Sequence, residues 1–363
     1  MSTTPVDPSP SRRPAPWERS EFRFWTWSIS AIAILAVALG VVAIVVSHPG
    51  TTAASSAGSA AAPAATASKI NFDAQAPAGF TPRDPTAPAP LPGTVHDITM
   101  HIKELEVEVA PGVKQTMWTF DGQVPGPVYR GKIGDTFRFT IINDGTMTHS
   151  MDFHAGMVSP SVAMVSIDPG KSHVYEFVAK HSGIFMYHCG TPPVLLHIGA
   201  GMYGAVIIDP PDLAPVDHEY VLVQSELYLG DNGAVPDLPK LLAAEYDAVV
   251  FNGYVFQYKY APIRVEPNQR IRVWVIDDGP SQVSSFHVIG AIFDTVYKEG
   301  TYLLRPGNGG SQALDLLPAQ GGFVEFQPTE AGDYPFVTHK FNDAARGAIG
   351  VFQVGDAATP MSH

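Results

Sequence analysis

The sequence predicts an all-β fold in which two tandem Greek-key β-sandwich domains follow an N-terminal transmembrane helix and a flexible linker. Composition is the first sign: 33 Gly and 33 Pro among 363 residues favour turn-rich β architecture over helical bundles. Local pattern is the second. Beyond about residue 94 the chain is built of short β-branched and aromatic runs broken by Gly, Pro, Asn and Asp, as in sandwich strands. The third is an internal repeat, in which Phe120-Asp121-Gly122 recurs as Phe251-Asn252-Gly253. Arg138 to Asp144 answers to Arg272 to Asp278, and Tyr175-Glu176-Phe177 up to Gly183 answers to Val324-Glu325-Phe326 up to Gly332.

Taken in order, residues 1–23 form a short cytoplasmic segment. Phe24 to Val46 carries no charge, is rich in Ala, Val, Ile and Leu, and is long enough to cross a bilayer as a helix. Arg12, Arg13, Arg19 and Arg23 precede it and no Lys or Arg follows before Lys69. The positive-inside rule therefore leaves the N-terminus in the cytoplasm and the bulk of the protein outside, in a periplasm or at the cell surface. A cleaved signal peptide is the competing reading, since small residues follow, but its apolar core would be unusually long; a retained anchor is expected. Residues 47–93, dominated by Ala, Pro, Ser, Thr and Gly, read as a flexible tether. The first sandwich is assigned to 94–213, the second to 214–356 and a tail to 357–363, with one short helix near Leu238 to Tyr246.

A formal charge of -13 excludes non-specific nucleic-acid binding, which needs a Lys/Arg surplus to neutralise phosphates. The chain has a single cysteine, Cys189. Outside the cytoplasm it can close no internal disulfide, and an exposed free thiol there is a liability. It is either buried and inert, or a metal ligand.

The segment Tyr187-His188-Cys189 up to His197 and Met202 places a thiolate, an imidazole and a thioether on one strand and the loop after it. Two His, one Cys and a weak axial Met make the trigonal ligand set of electron-transfer copper. His149, on a neighbouring strand, is placed to supply the second imidazole. Taken singly, each of these residues is more often an ordinary core side chain. Together, a Cys-x7-His-x4-Met spacing is much harder to obtain by accident. His149, Cys189, His197 and Met202 are expected to bind a blue-type copper.

Neighbouring residues on a strand point to opposite faces. If Cys189 faces inward, His188 faces outward, and Asp152 and His154, two apart, share a face opposite to that of His149. His188, His154 and Asp152 are therefore expected to converge on a second metal site, one peptide bond from the first. The second sandwich offers His287 and His339 but no Cys and no Met placed like Met202, so it holds no blue site of its own. His48, His96, His101, His173, His181, His218 and His363 lack a partner pattern and are assigned to surface or structural roles, as Met151, Met157 and Met164 are to core or rim.

With these residues in view, the chain resembles the copper-containing nitrite reductases, two-domain cupredoxin enzymes of multicopper oxidase type, as a membrane-anchored and divergent member. The likeness covers about residues 95 to 355 and rests on His149-x-x-Asp152-x-His154, Tyr187-His188-Cys189, His197 with Met202, Phe286-His287-Val288-Ile289, and His339 followed by Gly347-Ala348. The resemblance implies one type 1 copper per subunit, held by His149, Cys189, His197 and Met202. It also implies one catalytic type 2 copper, held by His154, His188 and His339. Asp152 and His287 become the proton-handling pair, and Ile289 crowds the substrate pocket. Nitrite as substrate, a place in denitrification, a small cupredoxin or c-type cytochrome as electron donor, and a homotrimer with the type 2 site between subunits follow from the same resemblance. The chain departs from better-known members in a Cys189 to His197 loop that reads as one residue shorter, in Leu196 at a common tryptophan position, and in Gly290-Ala291-Ile292 where Gly-Gly-His is usual.

Two other readings compete. A laccase-like multicopper oxidase needs paired His-x-His motifs, and none of the 13 His forms one. A membrane-tethered electron carrier without catalysis needs only the first copper site and has no use for Asp152, His287 and His339.

Overall fold

A computed structural model describes residues 69–356. The transmembrane helix expected at 24–46, the linker up to residue 68 and the tail lie outside the described residues. Among those described, no helix is long and apolar enough to cross a membrane.

The first sandwich contains β1 (Val95–Ala110), β2 (Val113–Phe120), β3 (Tyr129–Lys132), β4 (Thr136–Asn143), β5 (Asp152–Phe153), β6 (Ser172–Val178), β7 (Gly183–His188) and β8 (Tyr203–Asp209). They form sheets of order β2-β1-β4-β6 and β3-β8-β7-β5. The second contains β9 (His218–Leu227), β10 (Ala248–Phe251), β11 (Ile263–Val265), β12 (Ile271–Asp277), β13 (Ser284–Val288), β14 (Thr295–Lys298), β15 (Thr301–Leu304), β16 (Leu314–Leu316), β17 (Gly321–Phe326), β18 (Gly332–Thr338) and β19 (Ile349–Val354). Its sheets run β10-β9-β12-β17-β14-β15 and β11-β19-β18-β13-β16. Strand for strand, β2-β1-β4-β6 matches β10-β9-β12-β17, and β3-β8-β7-β5 matches β11-β19-β18-β13. The sequence repeat is thus a repeat of architecture, the second copy being widened by β14, β15 and β16.

Local chemistry explains why the repeat is so regular. Asp121 and Gly122 (φ 52° and 74°), like Asn252 and Gly253 (φ 54° and 86°), are consecutive left-handed residues, which Asp, Asn and Gly adopt at least cost. A Cβ at Gly204 would run into the Tyr187 ring, and one at the matching Gly350 into Phe336.

Among the described residues, five short helices join the strands: α1 (Pro160–Ala163), α2 (Val194–Gly199), α3 (Leu238–Ala243), α4 (Gln257–Tyr260) and α5 (Phe341–Ala344). The expected helix near Leu238 is α3, which stops early because Ala244 turns left-handed (φ 55°). The other four, at 4–6 residues, are too short to leave a periodic signal. Residues 69–93, expected to be flexible tether, form a packed strap. Ile70 and Phe72 pack against a core that includes Leu227 and Val250, and Phe80 lies 5.0 Å from the Tyr254 ring. Further along the strap, Leu91 N–H donates to the Arg130 carbonyl (2.8 Å). These anchors are too widely spaced to register as a pattern.

The two sandwiches share an apolar layer. Ile184, Met186, Tyr203 and Ile207 of the first meet Val221, Val223, Trp274 and Phe323 of the second. Beside it runs a buried ion network in which Arg130 bonds both Asp209 and Glu219 (2.8 Å each), and Glu219 also accepts from Arg272 (3.0 Å) and Trp274 (2.7 Å). Burial works to raise the Glu219 carboxyl, but hydrogen bonds and charge from Arg130, then Trp274 and Arg272, outweigh it and hold it below its ordinary value. A depressed carboxyl stabilises the fold above its unfolded-state pKa, and that contribution disappears as pH falls through the folded value. Glu219→Gln is expected to cost about 3 kcal/mol at pH 7, as for a broken buried pair. Thermal melts should show the gap to wild type closing in acid; a gap independent of pH would remove the charge from the account.

Candidate metal centres

Strand β7 sorts its side chains between two environments. Phe185, Tyr187 and then Cys189 belong to the core of the first sandwich, whereas Ile184 and Met186 enter the layer between the sandwiches. His188 takes the face of Ile184 and Met186. On paired β5, Met151 and Phe153 lie in the first core, leaving Asp152 and His154 on the other side.

The inner cluster is His149, Cys189 and His197, all buried. His149 is held by reciprocal backbone bonds with Ile167 (3.1 and 2.7 Å). Cys189 N–H donates to the Met202 carbonyl and Met202 N–H to that of His197 (both 3.1 Å), which ties three of the four expected ligands into one loop. His197 sits on α2, which starts after Pro193, a position where a missing N–H costs nothing. The Nδ1 atoms of His149 and His197 lie 3.3 Å apart, and Cys189 Sγ lies 3.2 Å from Nδ1 of His197 and 3.8 Å from Nδ1 of His149.

Three donors at about 2.0–2.3 Å around a trigonal ion would stand about 3.5–3.7 Å apart, so this triangle fits a metal. Burial pushes both imidazoles down to about 4, in His149 against the pull of Glu104 and in His197 reinforced by His149, which keeps them neutral and able to ligate. Burial also pushes the Cys189 thiol up, against N–H donors from Ser150 and Thr191, so binding a cation there expels a proton. Met202 is fully buried in the same core as Cys189. The Trp118 ring, which sequence reasoning did not single out, stands 4.6 Å from that of His197 and 6.0 Å from that of His149, shielding both.

The outer cluster is Asp152, His154 and His188. Nε2 of His188 and Nε2 of His154 are 3.1 Å apart, and each lies 3.9 Å from Asp152 Oδ2. His188 Nδ1–H donates to the Cys189 carbonyl (2.9 Å), so its Nε2 carries the free lone pair. Burial, then the neighbouring His188 imidazole, pushes His154 down against the opposing pull of Asp152, which again favours the ligating form. Two imidazoles and a carboxylate in a half-exposed setting suit an ion that keeps an open position.

His287 and His339 are together but apart from this cluster. Their rings are 5.4 Å from each other, on and just beyond β13 and β18, and among the described residues neither joins the other donors within ligand distance. Strand register shows why. Asp152 pairs with His188 as His287 pairs with Val337, so Asp152 and His287 hold equivalent places in the two sandwiches, as do His154 and Ile289. Half-exposed Ile289 thus stands on the same face as His287.

The same register accounts for the single inner cluster. Ser150 N–H points at Cys189 Sγ (3.4 Å), and its counterpart Ser285 N–H donates to Thr338 Oγ1 (3.0 Å). Thr338 N–H reaches the Ala348 carbonyl as Cys189 N–H reaches that of Met202, and Ala348 N–H reaches Asp343 as Met202 N–H reaches His197. Ser284, Thr338, Asp343 and Ala348 thus replace His149, Cys189, His197 and Met202.

Of the histidines assigned to structure, His96 bonds Asp135 (2.9 Å), His101 bonds Asp144 (2.6 Å) and His218 bonds Gln269 (2.7 Å). Met151 is core and Met157 exposed. Met164 packs over Gly190, where any Cβ would collide with it.

The multicopper oxidase family matches residues 101–213. The chain is similar to a copper-containing nitrite reductase of Neisseria meningitidis serogroup A, 35% identical over 275 residues that cover 72% of this chain and 70% of the relative. In structure it is similar to the copper nitrite reductase of Nitrosomonas europaea (TM-score 0.67, 35% identity, 74% of this chain and 96% of that one). It is also similar to the copper-containing nitrite reductase of Thermus scotoductus (TM-score 0.66, 28% identity, 74% of this chain and 64% of that one).

Proposed function

Since the chain belongs to the copper-containing nitrite reductase family and is accordingly a copper-dependent enzyme that reduces nitrite, we propose that its inner donor cluster is the electron-entry centre and its outer cluster half of the catalytic one. In this reading His149, Cys189, His197 and Met202 hold a type 1 copper, and His154 and His188 hold a type 2 copper with His339 as third ligand, one of each per subunit. The observation that carries it is the back-to-back placement of the clusters at consecutive residues. Cys189 and His188 are joined by one peptide bond and by the His188 Nδ1–H bond to the Cys189 carbonyl, a short covalent and hydrogen-bonded route for an electron.

Because His287 and His339 lie outside the outer cluster of their own chain yet occupy an equivalent face of the repeat, a second copy is proposed to bring them to it, as in a closed homotrimer. Bound copper supplies the one-electron reduction and the Lewis-acid seat for nitrite. Forming nitric oxide also consumes two protons and releases water. Asp152, whose carboxylate faces both imidazoles, hydrogen-bonds the substrate and delivers one proton. His287 donates its Nδ1–H to the Gln312 carbonyl, which leaves Nε2 to relay the second. Ile289 limits how nitrite sits.

The domain boundary is placed at 213/214, after β8. The N-terminal segment anchors the catalytic domains outside the cytoplasm, and a small cupredoxin or c-type cytochrome delivers the electron, as a step in denitrification. The laccase-like reading is weaker, since no His-x-His pair exists to build a trinuclear cluster. Electron paramagnetic resonance of the copper-loaded protein is expected to show separate type 1 and type 2 signals, with nitrite perturbing only the second. A type 1 signal alone, or a perturbation of both, would overturn the division of roles.

A further inference from the structure

His149 has one ring nitrogen, Nδ1, turned toward Cys189 and His197. Its other nitrogen, Nε2, is buried and has no hydrogen-bond partner. A neutral imidazole that ligates through Nδ1 must carry its proton on Nε2, and a buried N–H without an acceptor is costly. A carboxylate of the adjacent sheet stands close by: Glu104 Oε1, on β1, lies 3.9 Å from Nε2. Its side chain is only 16% exposed and is aimed by the loop that carries His149, since both of its oxygens accept from Thr146 N–H (2.8 and 3.0 Å). Room for it depends on Gly145, where a Cβ would stand 2.6 Å from Oε1.

The repeat separates this carboxylate's two roles. Glu226 is the counterpart on β9, and it too accepts backbone N–H groups of the following loop, from Ser281 (3.0 Å) and Gln282 (2.6 Å). Fastening that loop is therefore common to both sandwiches. Only in the first does an imidazole face the carboxylate, because the His149 position is Ser284 in the second.

We propose that Glu104 is a positioning residue of the type 1 centre, accepting the Nε2–H of His149 once Nδ1 is committed to the metal, and that its negative charge lowers the reduction potential of that centre. The proposal rests on His149 being a type 1 ligand. A carboxylate on the remote nitrogen fixes the ring and strengthens the ligand as a donor, which favours the oxidised, more positive ion.

The test is a spectroelectrochemical titration of the type 1 absorption band in the full-length copper-loaded protein. Glu104→Gln keeps an acceptor but loses the charge, so its midpoint should rise, and at the wild-type midpoint the reduced-to-oxidised ratio should increase several-fold. Glu104→Asp should restore a midpoint near that of wild type. Gly145→Ala, which displaces the carboxylate without altering it, should shift the midpoint upward, and it serves where Glu104→Gln fails to fold. Glu226→Gln should lower the melting temperature and leave the midpoint in place. An unchanged midpoint in folded Glu104→Gln, or an equal shift in Glu226→Gln, would overturn the proposal. A wild-type protein with copper bound but no type 1 band would overturn the assignment of His149 instead, and the proposal with it.

Discussion

His339→Ala is expected to give a protein that keeps its blue or green type 1 colour, binds no type 2 copper and turns over nitrite no faster than background. His154 and His188 alone present two nitrogens 3.1 Å apart, and a two-imidazole site with one half-exposed side loses much of its hold on a metal. Metal analysis and paramagnetic resonance check this directly, and full type 2 occupancy in the variant would remove His339 from the ligand set. Because His339 stands outside the outer cluster of its own chain, a sharper form of the experiment asks whose His339 is used. Co-assembly of His339→Ala chains with Asp152→Asn chains should restore about a quarter of the sites by random assortment, where an intact first sandwich of the former meets an intact second sandwich of the latter. A site built within one chain would show no recovery in the mixture.

Asp152→Asn is expected to retain both coppers and lose turnover by about 10²- to 10⁴-fold, the usual worth of a positioned general acid. The amide preserves size and one hydrogen-bonding oxygen, so the geometry with Nε2 of His154 and His188, 3.9 Å to each, should survive. What it cannot do is give up and regain a proton in each cycle. Steady-state assays with an artificial reductant, alongside metal content, separate the two effects, and near wild-type turnover would take Asp152 out of the mechanism.

How far these sites could be read from sequence depended on what kind of contact made them. Cys189, His197 and Met202 fall within one short segment, and strand alternation was enough to send His188 the other way; both arguments are local, and the β7 environments follow them. The duplicated sandwich was legible for a similar reason, since turns such as Asp121-Gly122 and Asn252-Gly253 demand left-handed residues and so leave a mark in composition. The strap at 69–93 left none, because Ile70, Phe72 and Phe80 act singly. Glu104 alternates along β1 with the more exposed Glu106 and Glu108, and only the neighbouring loop from Gly145 to His149 distinguishes it. The separation of His287 and His339 from the outer cluster was likewise a matter of tertiary register, which spacing along the chain does not encode.

The backbone donor shared by Cys189 Sγ and Thr338 Oγ1 has a consequence for protein engineering. The second sandwich already presents an N–H to the atom that would become a sulfur, so a copy of the proposed blue centre there would start from four side-chain exchanges, Ser284→His, Thr338→Cys, Asp343→His and Ala348→Met, made on a connection from 338 to 343 that is shorter than that from 189 to 197. A further obstacle is Lys340, whose partly exposed ammonium lies 3.0 Å from Asp343 Oδ2 and would face the incoming cation. A fifth exchange, Lys340→Met, removes it, and a designer starting from this chain would begin there.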